Sequence, residues 1–169
     1  MSIVLVGMMG AGKTTVGRAT ANQLGWAFID SDAQVEARTG RTVAQIWAAE
    51  GEDGFRRLEA EALDAALAST KERPAVVAAA GGVVLDPRNR ALLEQHPPVV
   101  WLRARLETLA RRVGEGTGRP LLAADPPAAL ERLMAVRYPL YEQVADSVVD
   151  VDELAPAEIV ERVLEAAGR

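Results

Sequence analysis

The residues best suited to chemistry lie near the N-terminus, where positions 7–14 read Gly-Met-Met-Gly-Ala-Gly-Lys-Thr. This Gly-x-x-x-x-Gly-Lys-Thr pattern follows a short apolar run and precedes a helical pattern, as in a phosphate-binding loop. The glycines let backbone N–H groups point inward, where they and the positive end of the helix bind phosphates. We therefore predict a nucleotide site formed by Gly10, Ala11, Gly12, Lys13, Thr14 and Thr15.

Two side chains of this loop have predicted chemical roles. Lys13 can reach the bridging and terminal phosphates of ATP and offset charge during transfer, and Thr14 can give its hydroxyl to Mg²⁺. The loop predicts that a nucleotide binds but does not identify the reaction, because kinases, GTPase switches and motors share it. The Asp-x-x-Gly and Asn-Lys-x-Asp patterns of GTPases are absent, and no later apolar strand ends in the aspartate that motors use.

The acceptor of the phosphoryl group is predicted to bind beside two aspartates. Asp30 and Asp32 follow the apolar run Ala27-Phe28-Ile29, and ligands of parallel sheets bind beyond the carboxyl ends of the strands. Asp30 is placed to hold the Mg²⁺ shell or to accept the proton of an attacking hydroxyl. Asp32 could bind substrate hydroxyls, although Ser31 or Asp32 could instead cap the following helix.

Alternating strand and helix patterns must position these groups. Strands are predicted at Ile3–Val6, Trp26–Ile29, Ala75–Ala79, Val99–Leu102 and Ser147–Val151. Helices are predicted at Thr14–Leu24, Ala33–Thr39, Glu52–Ser69, Arg88–Gln95, Leu106–Val113, Pro127–Val144 and Pro156–Ala167. This alternation predicts an α/β fold with a parallel sheet and helices on both faces.

Composition excludes several other classes of protein. A net charge of -5 argues against broad nucleic-acid binding, and the lack of cysteine excludes a disulfide scaffold and thiolate chemistry. No stretch approaches the roughly 20 apolar residues of a membrane helix. We read the N-terminus as a strand rather than a signal peptide, and we expect a cytoplasmic monomer without nucleic-acid or membrane partners.

Further segments occur in the order and spacing of a known family. They are Asp30-Ser31-Asp32, Phe55-Arg56-Arg57-Leu58-Glu59, Gly81-Gly82, Arg119-Pro120-Leu121-Leu122 and Arg137-Tyr138-Pro139-Leu140-Tyr141. Together with the phosphate-binding loop they span nearly the whole chain, which resembles the shikimate kinase family. Apart from that loop, no single segment is specific for this family, but the complete set in this order is.

The resemblance implies both an architecture and a reaction. The fold would be a three-layer α/β/α P-loop NTPase with a five-stranded parallel sheet of order 2-3-1-4-5. One kinase domain would cover residues 1–169, with a mobile glycine-rich lid at about 114–123 and acceptor-binding helices at about 32–62. The reaction would be phosphorylation of shikimate to shikimate 3-phosphate in aromatic amino-acid biosynthesis, with ATP as co-substrate and Mg²⁺ as cofactor.

The resemblance also implies roles for individual residues. Asp30 would serve the metal with Thr14 and activate the acceptor hydroxyl, and Asp32 would bind shikimate hydroxyls. Arg56 and Arg137 would clamp the shikimate carboxylate. The backbone of Gly81 and Gly82 would contact the acceptor, and Arg119 on the lid would approach the phosphates. Arg112 and Pro156 would pack on the two faces of adenine.

Some alternatives stay open at this level. Periodicity does not choose between Arg56 and Arg57, and Glu59 could hold Arg56 or be an ordinary surface acid. The chain has Ala80 where the family usually has the first of three glycines, and we expect the loop to survive if φ of Ala80 is negative. A related kinase acting on gluconate or a nucleoside monophosphate, or a switch without turnover, remains the rival reading.

Overall fold

Five short strands form the central sheet of the protein, for which a computed structural model describes residues 1–114, 120–122 and 125–169. The strands are β1 (Ser2–Val6), β2 (Ala27–Asp30), β3 (Ala75–Ala78), β4 (Val99–Arg103) and β5 (Ser147–Asp150). All pairs are parallel and their order is β2-β3-β1-β4-β5, which confirms the predicted sheet and its order. The central strand β1 is buried along its whole length, which explains its continuous apolar sequence.

Seven helices flank the sheet within the described residues. They are α1 (Lys13–Leu24), α2 (Ser31–Thr39), α3 (Val43–Ser69), α4 (Pro87–Glu94), α5 (Leu106–Val113), α6 (Pro126–Val144) and α7 (Pro156–Ala166). Two 3₁₀ turns lie at Val83–Leu85 and Pro120–Leu122. Gly25 and Gly40 end α1 and α2 in the left-handed conformation, as their positions after apolar patterns predict.

The start of α3 differs from the sequence prediction, which placed it at Glu52. The helix begins at Val43 and is kinked at Gly51, whose φ of 70° and ψ of -169° are not helical. The first part is short, so its periodicity is weak, but it has an N-terminal signature. Thr42 and Gln45 form a reciprocal capping box, which could have located this helix in the sequence.

Two apolar clusters place the elements around the sheet. The larger contains β1, β3 and β4 with the inner faces of the helices. The smaller consists of Val35, Ile46, Phe55 and Ala62, and it packs α2 against both parts of α3. The predicted acceptor-binding helices therefore have their own small core beside the carboxyl ends of the strands.

The order of the strands brings the sequence motifs together. Strands β2, β3 and β1 are neighbours, and they lead respectively into Asp30, the Ala80-Gly81-Gly82 loop and the phosphate-binding loop. Most of the predicted lid, including Arg119, lies outside the described residues. Across the described part of the chain, no helix combines the length and apolar character needed to cross a membrane.

Candidate active site

The phosphate-binding loop connects β1 to α1, with Gly12 preceding the helix at a φ of 99°. The ammonium group of Lys13 donates hydrogen bonds to the carbonyls of Gly7 at 2.8 Å and Met8 at 3.1 Å. The lysine therefore lies over the loop at the start of α1, where the positive end of the helix favours an anion. This is the arrangement that the sequence motif predicts for binding of nucleotide phosphates.

Asp30 is held in place by both of its carboxylate oxygens. Oδ1 accepts hydrogen bonds from the backbone N–H groups of Asp32 and Ala33, and Oδ2 accepts one of 2.6 Å from the hydroxyl of Thr14. Asp30 is thus the N-cap of α2, and the alternative that Ser31 or Asp32 caps this helix is wrong. The helix cap orients the carboxylate toward the phosphate-binding loop.

The oxygen atoms of Thr14 and Asp30 suit a hard cation such as Mg²⁺, which prefers oxygen ligands. They lie 2.6 Å apart on neighbouring elements at the phosphate-binding loop. No cluster of three or more acidic, histidine or cysteine residues that could hold a metal occurs in the described ranges. Water and nucleotide phosphates would therefore supply the remaining ligands, which is usual for Mg²⁺.

The structure distinguishes the two adjacent arginines of α3. Arg56 contacts Glu59 at 2.5 Å and Glu52 at 3.1 Å, and it lines the cavity described below. Arg57 is 66% exposed and pairs with Glu50 at 3.1 Å. Since adjacent residues of a helix point in different directions, only Arg56 faces the site. Glu59 is 3% exposed, so it is a partner of Arg56 rather than a surface acid.

Burial changes the protonation of the acidic groups around Arg56. Burial raises the pKa of Glu59 to about 7, with Arg56 opposing this effect and Asp32 adding to it. Burial also raises the pKa of Asp32, against the lowering effect of Lys13. Burial lowers the pKa of Arg56, but Glu59 and Glu52 outweigh it and the net shift is upward. Such a cluster of shifted groups in a cavity is typical of a functional site.

Two arginines and two glycines meet at the end of β3. A Cβ atom on Gly81 would lie 3.4 Å from Nη1 of Arg137, and one on Gly82 would lie 1.8 Å from Nη1 of Arg56. Only glycine at position 82 therefore leaves room for the observed Arg56 side chain. Ala80 has a negative φ and donates its N–H to the hydroxyl of Ser31 at 2.8 Å, so alanine is compatible with this loop.

A cavity of about 370 Å³ joins the phosphate-binding loop to these arginines. Its predicted members are Lys13, Thr14, Asp30, Asp32, Arg56, Gly81, Gly82 and Arg137. The other lining residues had no individual role in the sequence prediction, although all except Met9 fall within the predicted acceptor-binding helices or lid. They are Met9, Ala33, Glu36, Val43, Trp47, Phe55, Glu59, Pro120 and Leu121. Glu36 could have been found because it lies one helical turn after Asp32, and Val43 because it directly follows the N-cap Thr42.

Arg112 lies on the other side of the phosphate-binding loop. Its guanidinium is 3.4 Å from the carbonyls of Gly10 and Ala11 and 3.3 Å from that of Val151. Pro156 is the first residue of α7, shortly after Val151. The packing of adenine against Arg112 and Pro156 stays a prediction.

The match to known proteins covers the whole site. A family model described as shikimate kinase matches residues 9–167. The chain belongs to the shikimate kinase family. A shikimate kinase of Bordetella pertussis is 48% identical over 165 residues, which cover 97% of this chain and 77% of that protein. A shikimate kinase of Thermobifida fusca is 45% identical over 168 residues, covering 98% of this chain and 95% of that protein.

A solved structure of the same family has a closely similar fold. The shikimate kinase of Acinetobacter baumannii in complex with shikimate superposes with a TM-score of 0.92 at 38% identity. The match covers 97% of this chain and 90% of that one. The predicted membership of the shikimate kinase family is therefore confirmed together with the P-loop kinase fold.

Proposed function

We propose that the protein transfers the terminal phosphoryl group of ATP to a hydroxyl of shikimate, forming ADP and shikimate 3-phosphate in aromatic amino-acid biosynthesis. The main support for this proposal is that Lys13, Arg56 and Arg137 all line one continuous cavity. It offers phosphate-binding groups at one end and carboxylate-binding groups at the other. Membership of the shikimate kinase family supports the same reaction.

Arg56 and Arg137 fit the carboxylate of shikimate. Guanidinium groups bind a planar carboxylate through parallel N–H donors, a geometry that lysine cannot copy. Arg137 is only 1% exposed, and within the described residues its Nε has no hydrogen-bond partner. The nearby carboxyl of Glu59 compensates part of this buried charge, and an anionic ligand would offset it further.

Transfer requires a hydroxyl oriented toward the terminal phosphorus atom. The hydroxyl oxygen forms a bond to that phosphorus while the bond to the bridging oxygen breaks and its electron pair leaves with ADP. Asp30 is placed to accept the proton of the hydroxyl, and Asp32 to bind neighbouring hydroxyls of the acceptor. Lys13 would offset the negative charge on the phosphates.

We infer that Thr14 and Asp30 hold Mg²⁺ with the nucleotide. The ion would neutralise charge on the phosphate oxygens of ATP. In that role Asp30 keeps its capping contact to α2 through Oδ1, while Oδ2 faces Thr14.

The other expected parts of the enzyme complete the proposal. Residues 1–169 would act as one kinase domain with a lid at about 114–123, whose Arg119 would approach the phosphates and exclude water. Residues 32–62 would bind the acceptor. We infer a cytoplasmic monomer without nucleic-acid or membrane partners. The acidic net charge of -5 supports the absence of nucleic-acid binding. Among the described residues, the exposed large apolar side chains are Met1 at the N-terminus, Val136 on α6 and Val148 on β5.

The direct test is release of ADP with ATP, Mg²⁺ and a panel of acceptors. Shikimate should be turned over, whereas gluconate and nucleoside monophosphates should give rates close to the background hydrolysis of ATP. Identification of the product as the 3-phosphate completes the assignment. Equal or faster turnover of gluconate or a nucleoside monophosphate would contradict it.

Substitution of Gly82 with alanine is expected to weaken shikimate binding selectively. The new Cβ would lie 1.8 Å from Nη1 of Arg56, so the guanidinium must move away from the acceptor. Loss of one charge-assisted contact corresponds to a rise in KM for shikimate of about 10- to 100-fold. The KM for ATP should stay close to the wild-type value. Alanine at Gly25, which strains the left-handed end of α1 away from the site, controls for general loss of stability.

A further inference from the structure

A buried hydroxyl that the proposed mechanism does not use lies behind the acceptor-binding groups. The side chain of Tyr141 is 0% exposed, and its hydroxyl donates a hydrogen bond of 2.6 Å to the carbonyl of Gly81. Tyr141 follows Arg137 by four residues on α6, so both side chains project from one face of that helix. The hydroxyl therefore connects the helix that carries Arg137 to the loop that carries the two glycines.

Arg137 and Tyr141 approach Gly81 from the same side. A Cβ atom on Gly81 would lie 3.4 Å from Nη1 of Arg137 and 3.5 Å from Oη of Tyr141. Burial raises the pKa of Tyr141, and the neighbouring guanidinium of Arg137 opposes this only in part. The phenol is therefore neutral over the physiological pH range and remains a hydrogen-bond donor.

The same loop is held from its other end by the hydroxyl of Ser31. This hydroxyl accepts a hydrogen bond of 2.8 Å from the N–H of Ala80, and Ser31 is also fully buried. Fixing the N–H of Ala80 and the carbonyl of Gly81 restrains the rotation of the peptide groups between them. The Gly81 carbonyl is partly buried, so without the Tyr141 hydroxyl the peptide would be free to turn toward water or another donor.

We propose that Tyr141 is a positioning residue for the acceptor, because its hydroxyl keeps the Gly81 backbone and the Arg137 guanidinium in one arrangement. It does not touch the acceptor or the nucleotide, and it acts through these two groups. This inference rests on the proposed function, which assigns Gly81 and Arg137 to acceptor binding.

Tyr138 provides a matched control on the same helix. Both tyrosines pack against Trp101, with ring centroids 5.7 Å away for Tyr141 and 5.0 Å away for Tyr138. The hydroxyl of Tyr138, however, donates to the carbonyl of Ala104 after β4. Phenylalanine at either position removes one hydroxyl from the same aromatic cluster, and only the Tyr141 variant removes the contact to Gly81.

The experiment compares Tyr141→Phe, Tyr138→Phe and the wild type in steady-state kinetics. For Tyr141→Phe the KM for shikimate should rise about 2- to 10-fold, the range expected when a partly buried acceptor loses one hydrogen bond. The KM for ATP should stay at the wild-type value. For Tyr138→Phe both KM values should stay close to those of the wild type, even if its thermal midpoint falls by as much as that of Tyr141→Phe.

A second measurement does not depend on how much of the variant is folded. It is the ratio of kcat/KM for shikimate to that for the analogue whose carboxylate is reduced to a primary alcohol. Both values come from one preparation, so the active fraction cancels. The ratio should fall in Tyr141→Phe, because Arg137 no longer discriminates as well, and it should be unchanged in Tyr138→Phe.

Two results would overturn the positioning role: a parallel rise of both KM values in Tyr141→Phe, or a wild-type ratio of shikimate to the alcohol in that variant. Each would make Tyr141 a packing residue. Failure of the proposed function is a separate outcome, since the wild type itself would then not phosphorylate shikimate.

Discussion

Replacement of Lys13 with methionine is expected to lower kcat about 1,000-fold, which is the scale seen when one preorganised donor to a transition-state charge is removed. The ammonium group lies over the phosphate-binding loop, in contact with the carbonyls of Gly7 and Met8. Methionine keeps the length of the side chain and is a good helix former, so α1 should still begin there. Circular dichroism should therefore match the wild type, and the thermal midpoint should fall only by the loss of the two lysine contacts.

The chain offers a matched control for this substitution. Lys71 is the only other lysine, and it is exposed in the turn that follows α3. Lys71→Met removes the same charge from the net balance of the protein but does not alter the site. Normal turnover by Lys13→Met, or an equal loss in Lys71→Met, would show that Lys13 has no specific role with the phosphates.

The second large effect is expected at Asp30, for which asparagine is the informative replacement. Asparagine caps helices about as well as aspartate, so Oδ1 can still accept from the N–H groups of Asp32 and Ala33. Alanine would instead remove the cap and mix a loss of stability with the loss of chemistry. Because the charge facing Thr14 disappears, kcat should fall about 100- to 10,000-fold, the usual contribution of a positioned acid or base.

A titration with Mg²⁺ separates the two roles assigned to Asp30. If the carboxylate mainly holds the metal, Asp30→Asn should need more Mg²⁺ and recover part of its rate at high concentration. If it mainly accepts the proton, added Mg²⁺ should not help. Asp86→Asn is the control, since Asp86 caps α4 through the N–H of Arg88. Unchanged turnover by Asp30→Asn would remove Asp30 from the mechanism.

Much of the fold can be predicted from local patterns of apolar and polar residues in the sequence. Each strand is a short apolar run, and the parallel sheet requires such runs because helices cover both of its faces. The phosphate-binding loop is equally local, since its glycines, lysine and threonine act within eight consecutive residues. Helix α3 is the exception, because a kink at Gly51 interrupts its periodicity and its first part was not predicted.

The acceptor side of the site depends on contacts between distant parts of the chain. Nothing in the local sequence shows that Arg56 turns inward and Arg57 outward. In the structure Arg56 pairs with the buried Glu59, whereas Arg57 is exposed beside Glu50. The resemblance to the family selected Arg56, but the physical reason appears only in the packing of α3 beside the sheet.

The sequence alone therefore determined the nucleotide-binding loop, the alternation of strands and helices and the family, because each depends on neighbouring residues or on their order. Only the tertiary structure decided that Asp30 contacts Thr14, that Gly82 makes room for Arg56, and that the Tyr141 hydroxyl reaches Gly81. These contacts join residues from different elements, and their geometry is set by how the helices pack on the sheet.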